Sequence, residues 1–168
     1  LIDSAYNFFG RVDILVNAAG VITKIAPLEQ FSDQEFRTVI DTNLTGAFYT
    51  ARAAIPYMKR QRSGTIVNIS SRVGKQAVAN IAPFCAAKFA LSGLSQALGQ
   101  ELRPANIYVT TIFPGMINTD IHPLNPSEEF RRQLMTAHDV AEAVLWTCTL
   151  PPSLRVDELP LMPRQLEM

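Results

Sequence analysis

The sequence has 168 residues, enough for one domain with its own core. Hydrophobic residues make up 48% and charged residues 18%, and 15 basic residues balance 15 acidic ones, so neither a nucleic-acid partner nor an anionic membrane surface is indicated. No apolar run has the length of a membrane span and no leader-like segment is visible. The two cysteines, Cys85 and Cys148, are too few for a disulfide framework, which makes a reducing, cytoplasmic setting the expectation.

In chain order, apolar stretches of strand length alternate with longer segments of helical period, which predicts βαβ units and a parallel sheet. Residues 1–9 carry Leu1, Ala5 and Phe8 or Phe9 on one face and predict the end of a helix, stopped by Gly10. Residues 13–16, leading into Asn17-Ala18-Ala19-Gly20, predict a strand, and their unbroken apolar run predicts burial on both faces. Ser32-Asp33-Gln34-Glu35 is a capping-box pattern. A helix is expected from there to about residue 60, bent where Gly46 and Pro56 weaken it. Ser63-Gly64 predicts a turn, residues 65–69 a second strand, and Ser70-Ser71 with Gly74 a loop. A helix over residues 83–102 places Phe84, Lys88, Leu91, Ser95 and Leu98 on one face or neighbouring faces, and Pro104 ends it. Residues 107–113 predict a third strand, closed by Pro114-Gly115. Residues 116–135, with Pro123 and Pro126, read as irregular or weakly helical. Thr136 to Asp139 opens a further helix that Pro151-Pro152 ends, and residues 156–162 predict a last strand.

Several of these segments carry residues in a telling order. Asn17-Ala18-Ala19-Gly20 follows the first strand, Asn43 sits in TNLTGAF, Ser71 closes VNISS, Phe84 and Lys88 lie four apart, Pro114-Gly115 follows the third strand, and Thr119 comes next. Together, almost from end to end, this pattern resembles the short-chain dehydrogenase/reductase family. DELPLMP near the C-terminus also looks like that family's last strand. The resemblance implies an α/β fold, a Rossmann-like three-layer sandwich on a parallel sheet. Residues 1–168 would form one domain holding strands four to seven of the family's 3-2-1-4-5-6-7 sheet, with the N-terminal strands missing and residues 116–135 as substrate lid. It implies an NAD(P)-dependent oxidoreductase moving hydride between a nicotinamide, NAD or NADP, and a small carbonyl or secondary alcohol. It also implies a homodimer or homotetramer paired through the helices bearing Asn43 and Lys88, with Phe48, Ala53, Leu91, Leu94 and Leu98 compatible with that contact.

By the same resemblance, Ser71 would hydrogen-bond the substrate carbonyl, and position 84 would hold the tyrosine that passes the proton. Lys88 would lower that phenol's pKa and bind the nicotinamide ribose, while Asn43 would hold a water near Lys88 through its backbone carbonyl. Asn17, Ala18 and Gly20 would bring the strand end to the adenosine side of the cofactor, and Pro114, Gly115 and Thr119 would frame the carboxamide.

Two features depart from the family pattern. The glycine-rich phosphate loop is absent, and with it the residue that selects NAD or NADP; a chain that opens with Leu1 inside a helical pattern reads as a partial sequence. The second departure is Phe84. Its spacing to Lys88 keeps both on one helix face, but a phenyl ring neither donates nor accepts a hydrogen bond. Loss of a positioned acid or base predicts a fall of at least about 10²–10⁴-fold. Cys85 points roughly 100° away around a helix and is a poor substitute. Alternatives stay open beside this reading. The other readings are Phe84 packing as an ordinary helix residue, Gly20 as a plain turn glycine, and the whole chain as a catalytically inactive binding or assembly subunit. His122 and His138 read as surface residues, the cluster Lys59, Arg60 and Arg62 as a solvated helix end, and no spacing suggests a metal site. Ile117, Ile121, Leu124, Phe130 and Leu134 make the lid fairly apolar, which suits a small hydrophobic carbonyl or alcohol and equally suits a lid packing on its own domain. The first strand would lie at a sheet edge, predicting poor stability or association through that edge.

Overall fold

A computed structural model describes residues 1–121 and 127–164. Four strands form one sheet in the order β1-β2-β3-β4, and every neighbouring pair is parallel. They are β1 (Ile14–Asn17), β2 (Gly64–Ile69), β3 (Ile107–Pro114) and β4 (Glu158–Leu161). The helices are α1 (Ile2–Phe9), α2 (Asp33–Ile40), α3 (Gly46–Gln61), α4 (Ala82–Leu102), the single turn α5 (Glu128–Arg131) and α6 (Ala137–Cys148). Strands joined through helices force a parallel sheet, because only a crossover returns the chain to the starting edge.

Gly10 ends α1 with φ 74°, a left-handed conformation that suits glycine, and its N–H donates to the Tyr6 carbonyl at 2.7 Å. Tyr6 stacks on Tyr57 of α3, with ring centroids 4.1 Å apart. That face of the sheet builds the main core: Leu15, Ile66 and Val109 from three adjacent strands meet Ala51, Ala54 and Met58 of α3 and Leu102 of α4. On the opposite face, Thr147 and Cys148 of α6 share a crevice with Thr65, Tyr108 and Thr110. These are the residues that alternate with the core set, so the layers are helix, sheet, helix.

Three expectations need correction. β1 is not buried on both faces: Leu15 is buried, but Ile14 is 49% and Val16 41% exposed. Helix α3 covers the Leu15 side, and the side bearing Ile14 and Val16 stays open. The long helix from residue 33 is interrupted immediately before Gly46 and runs on through Pro56. A π-helical turn, Asp41–Thr45, separates α2 from α3, with the Gly46 N–H bonded to the Asp41 carbonyl, and Pro56 sits within α3. Leu91, expected at a subunit contact, is instead almost fully buried in the core. Phe48 is exposed, while Leu98 packs partly buried against the main core.

A line of polar side chains, half-buried at Thr50 and Asn17 and buried at Asn68 and Ser95, crosses the molecule. The Thr50 hydroxyl donates to Asn17 Oδ1 at 2.6 Å, Asn17 Nδ2 to Asn68 Oδ1 at 2.8 Å, Asn68 Nδ2 to Ser95 Oγ at 2.8 Å, and Ser95 to the Leu91 carbonyl at 2.7 Å. The line ties α3, β1, β2 and α4 together just below the carboxyl ends of the strands. Gly74 closes the same region from above: a Cβ there would lie 2.6 Å from Ser70 Oγ and 2.9 Å from the Lys88 carbonyl. Only glycine lets the loop after β2 approach α4 this closely.

Candidate active site

A cavity of about 500 Å³ opens where the strands end. Ala18 and Gly20 reach it from beyond β1, Ser70 and Ser71 from beyond β2, Pro114 and Gly115 from the end of β3, and Phe84 and Lys88 from the first turns of α4. Ligand sites of open parallel sheets lie in this position, because loops leaving adjacent strands diverge there and leave a crevice.

Lys88 is the most constrained polar group in it. The residue is 3% exposed, and Nζ donates to the Ile69 carbonyl at 2.9 Å. Burial pushes its pKa down to about 8, because a charged amine loses its hydration there. The Phe84 ring centroid lies 5.5 Å from Nζ, close enough for the ring face to favour the cation modestly. Phe84 itself is buried, packed with Val39, Val73, Cys85 and Ala87. Ser71 begins the short turn Arg72–Gly74 and accepts a bond from the Val73 N–H at 3.3 Å, which leaves its own O–H to donate elsewhere.

Asn43 lies in the π-helical turn and is almost fully buried. Its side chain pairs with Val21 in both directions, accepting from the Val21 N–H at 3.3 Å and donating to the Val21 carbonyl at 2.9 Å; it also donates to the Val39 carbonyl at 2.8 Å. The strand-end segment is therefore clamped to the helix. Gly20 sits at the clamp: a Cβ there would meet Asn43 Oδ1 at 3.1 Å and Lys88 Nζ at 3.7 Å.

Of the expected site residues, Ala18, Gly20, Ser71, Phe84, Lys88, Pro114, Gly115 and Thr119 come together around this cavity. Asn17 and Asn43 do not line it. The Asn17 side chain is committed to the polar line described above, and both residues border a neighbouring crevice with Thr50 and Leu91. Sequence reasoning missed Val21, Ile22 and Asp120, which also line the cavity. Val21 and Ile22 directly continue the Asn-Ala-Ala-Gly segment and were open to detection; Asp120 belongs to no motif. Of the lid residues, Ile117 and Ile121 reach the cavity, Leu134 is buried, and Ile117 pairs with Met135 in a single parallel bridge. Leu124 and His122 lie outside the described residues.

Residues 1–129 match the family model for short chain dehydrogenases. The chain belongs to this family. An uncharacterized oxidoreductase of Staphylococcus aureus strain MRSA252 is 35% identical over 164 residues, covering 97% of this chain and 69% of that protein. The crystal structure of a 3-ketoacyl-(acyl-carrier-protein) reductase from Brucella melitensis complexed with NADH superimposes with a TM-score of 0.87 at 28% identity, over 98% of this chain and 71% of that one. An alcohol dehydrogenase from the archaeon Thermococcus sibiricus, complexed with 5-hydroxy-NADP, superimposes with a TM-score of 0.85 at 27% identity, over 99% of this chain and 69% of that one. The chain thus spans about two thirds of the length of these relatives.

Other chemistry-bearing residues of this short-chain dehydrogenase lie elsewhere. The buried Cys85 thiol bonds to the backbone of Val78, donating to its carbonyl at 3.6 Å. His138 is exposed in the first turn of α6, 3.8 Å from Glu142. Among the described residues no group of three or more His, Cys, Asp or Glu could hold a metal ion, and no described helix is long and apolar enough to cross a membrane.

Proposed function

We propose that the chain is an NAD(P)-dependent oxidoreductase acting on a small carbonyl compound or secondary alcohol, slowed by Phe84. The observation that carries this reading is the convergence of Ser71, position 84 and Lys88 on one cavity at the carboxyl ends of parallel strands. The relatives with bound NADH and 5-hydroxy-NADP support a nicotinamide cofactor without choosing between the two forms.

The residues present fit the nicotinamide end of such a cofactor. Gly20 leaves free the space beside Lys88 Nζ that a Cβ would fill. Lys88 would hold ribose hydroxyls through the N–H groups that Ile69 does not use, and Pro114, Gly115 and Thr119 would frame the carboxamide. The pyrophosphate end has no matching cradle in this sequence, whose eight glycines form no phosphate-binding cluster. When bound, the nicotinamide supplies or accepts the hydride. Ser71 donates its O–H to the carbonyl oxygen and polarises it. Position 84 should then hand over a proton, and a phenyl ring cannot. Water must serve in its place.

Assays with NADH and NADPH across a panel of small ketones test this. Phe84→Tyr is expected to raise hydride transfer by about 10²–10⁴-fold. The tight packing of Phe84 favours a second reading, a family member that binds ligand without turnover. That reading predicts no turnover from Phe84→Tyr while nicotinamide binding persists.

A further inference from the structure

With no phenol at position 84, the Lys88 amine lacks the partner that the family resemblance assigns it, while keeping a largely apolar cavity of about 500 Å³ in front of it. We propose that Lys88 is a covalent capture site for small apolar aldehydes, condensing with the carbonyl to form an imine. The inference rests on reading this cavity as a carbonyl site, and it asks no cofactor to take part.

Five observations carry it. Lys88 lines the cavity although the residue as a whole is 3% exposed, so its amine meets the cavity and little bulk solvent. Its one hydrogen-bond partner is the Ile69 carbonyl, and among the described residues no carboxylate pairs with it. Among the described residues Asp120 is the one other titratable group on the cavity wall, and burial alone accounts for the displaced titration of Lys88. Gly20 leaves the approach open, since the nearest substituent it could carry would stand 3.7 Å from Nζ. Val21, Ile117 and Ile121 supply apolar walls for an alkyl chain.

The step balances without oxidant or reductant. The neutral amine's lone pair forms a bond to the carbonyl carbon, and the carbonyl π pair moves to oxygen, which takes up a proton. The nitrogen gives up both of its protons, one making good the proton the oxygen took up and one leaving with that oxygen as water, and its lone pair closes the carbon–nitrogen double bond as the carbon–oxygen bond breaks. Desolvated lysines in apolar pockets are activated for this chemistry because a useful fraction is unprotonated near neutral pH. An amine titrating at about 8 is about 10% neutral at pH 7, against less than about 0.1% for an ordinary lysine.

The test is reductive alkylation of the chain at pH 7 with butanal and sodium cyanoborohydride, read by peptide mapping. Lys88 is expected to gain a butyl group at least about tenfold faster than Lys24, Lys59 or Lys75, with the amino terminus of Leu1 scored as a separate peptide. The advantage should vanish when the chain is unfolded in urea, and Lys88→Met should lose the internal label without changing labelling elsewhere. Labelling spread over the surface lysines, with Lys88 no faster, overturns the proposal, and so does an advantage that survives urea. NADH added before the aldehyde reports separately on the oxidoreductase reading. Protection of Lys88 supports nicotinamide binding at this cavity, and fast labelling without protection counts against that binding while leaving the imine intact.

Discussion

Lys88 couples stability to pH in a direction set by its burial. Its pKa in the folded chain is about 8, below the value near 10.4 of a solvated lysine. Between these values the unfolded chain holds more protons than the folded one, so stability rises with pH across that window. Below about pH 8 both forms are protonated and the cost of burying the charge is fully present. Lys88→Met should therefore gain relative to the wild type at pH 7 and lose about 3 kcal/mol of that relative advantage by pH 10.5. Urea denaturation of both proteins at the two pH values measures the difference, and a pH-independent difference contradicts a buried, displaced lysine. At this scale the sequence located Ser71, position 84 and Lys88 through their motif, and the structure gathers them on one cavity wall. The role of the Asn17 side chain was not legible. Its partners Thr50 and Asn68 lie 33 and 51 residues away, and no local pattern announces a polar line closed by tertiary packing.

Among the elements, the contact between the loop after β2 and α4 decides how well the cavity is formed. Gly74 sits where a Cβ would strike both the Ser70 hydroxyl and the Lys88 backbone. Gly74→Ala should cost about 1–3 kcal/mol, because one of the two clashing atoms is backbone and cannot swing away. A thermal melt checks this, and an unchanged melting temperature would show that the loop is loosely seated. The start of α2 offers a milder probe. The Ser32 hydroxyl accepts from the Glu35 N–H at 3.2 Å and Glu35 accepts from the Ser32 N–H at 2.8 Å, as the capping-box pattern foretold. Ser32→Ala should cost about 1 kcal/mol by urea denaturation. The hydrogen bonds from Lys24 and Ser32 hold the Glu35 carboxyl down to about 2, so this cap is present above the usual carboxylate range and is lost only as pH falls through about 2. The capping residues were readable because both partners are local. The π-helical turn was only partly legible: Gly46 marks its end, but the turn places Asn43 against Val21, 22 residues earlier in the chain, which no local pattern announces.

Across the whole molecule, the sheet presents one open edge and one partly open face at β1. Ile14 and Val16 on that strand, with Phe8 and Phe9 at the end of α1, leave apolar surface in water. An unpaired edge beside exposed apolar side chains is a template for association. The chain is expected to self-associate as its concentration rises, and Val16→Lys should shift it toward monomer in sedimentation velocity. A wild-type chain that stays monomeric at high concentration would contradict this. The parallel sense of the strands was legible because strand-length and helix-length segments alternate, while their order followed only from the resemblance to the family sheet. The burial of β1 was not, because an apolar run records what a strand can bury and not what covers it.

In the function proposed above, the cavity at the strand ends receives a nicotinamide riboside. Titration with nicotinamide mononucleotide, observed through the backbone amide resonances of the chain, tests it most directly because that ligand needs no pyrophosphate cradle. The account predicts saturable shifts at Gly20, Ser71, Gly115 and Thr119, weakened in Lys88→Met. Shifts that are absent, or that fall on residues remote from these strand ends, would contradict it.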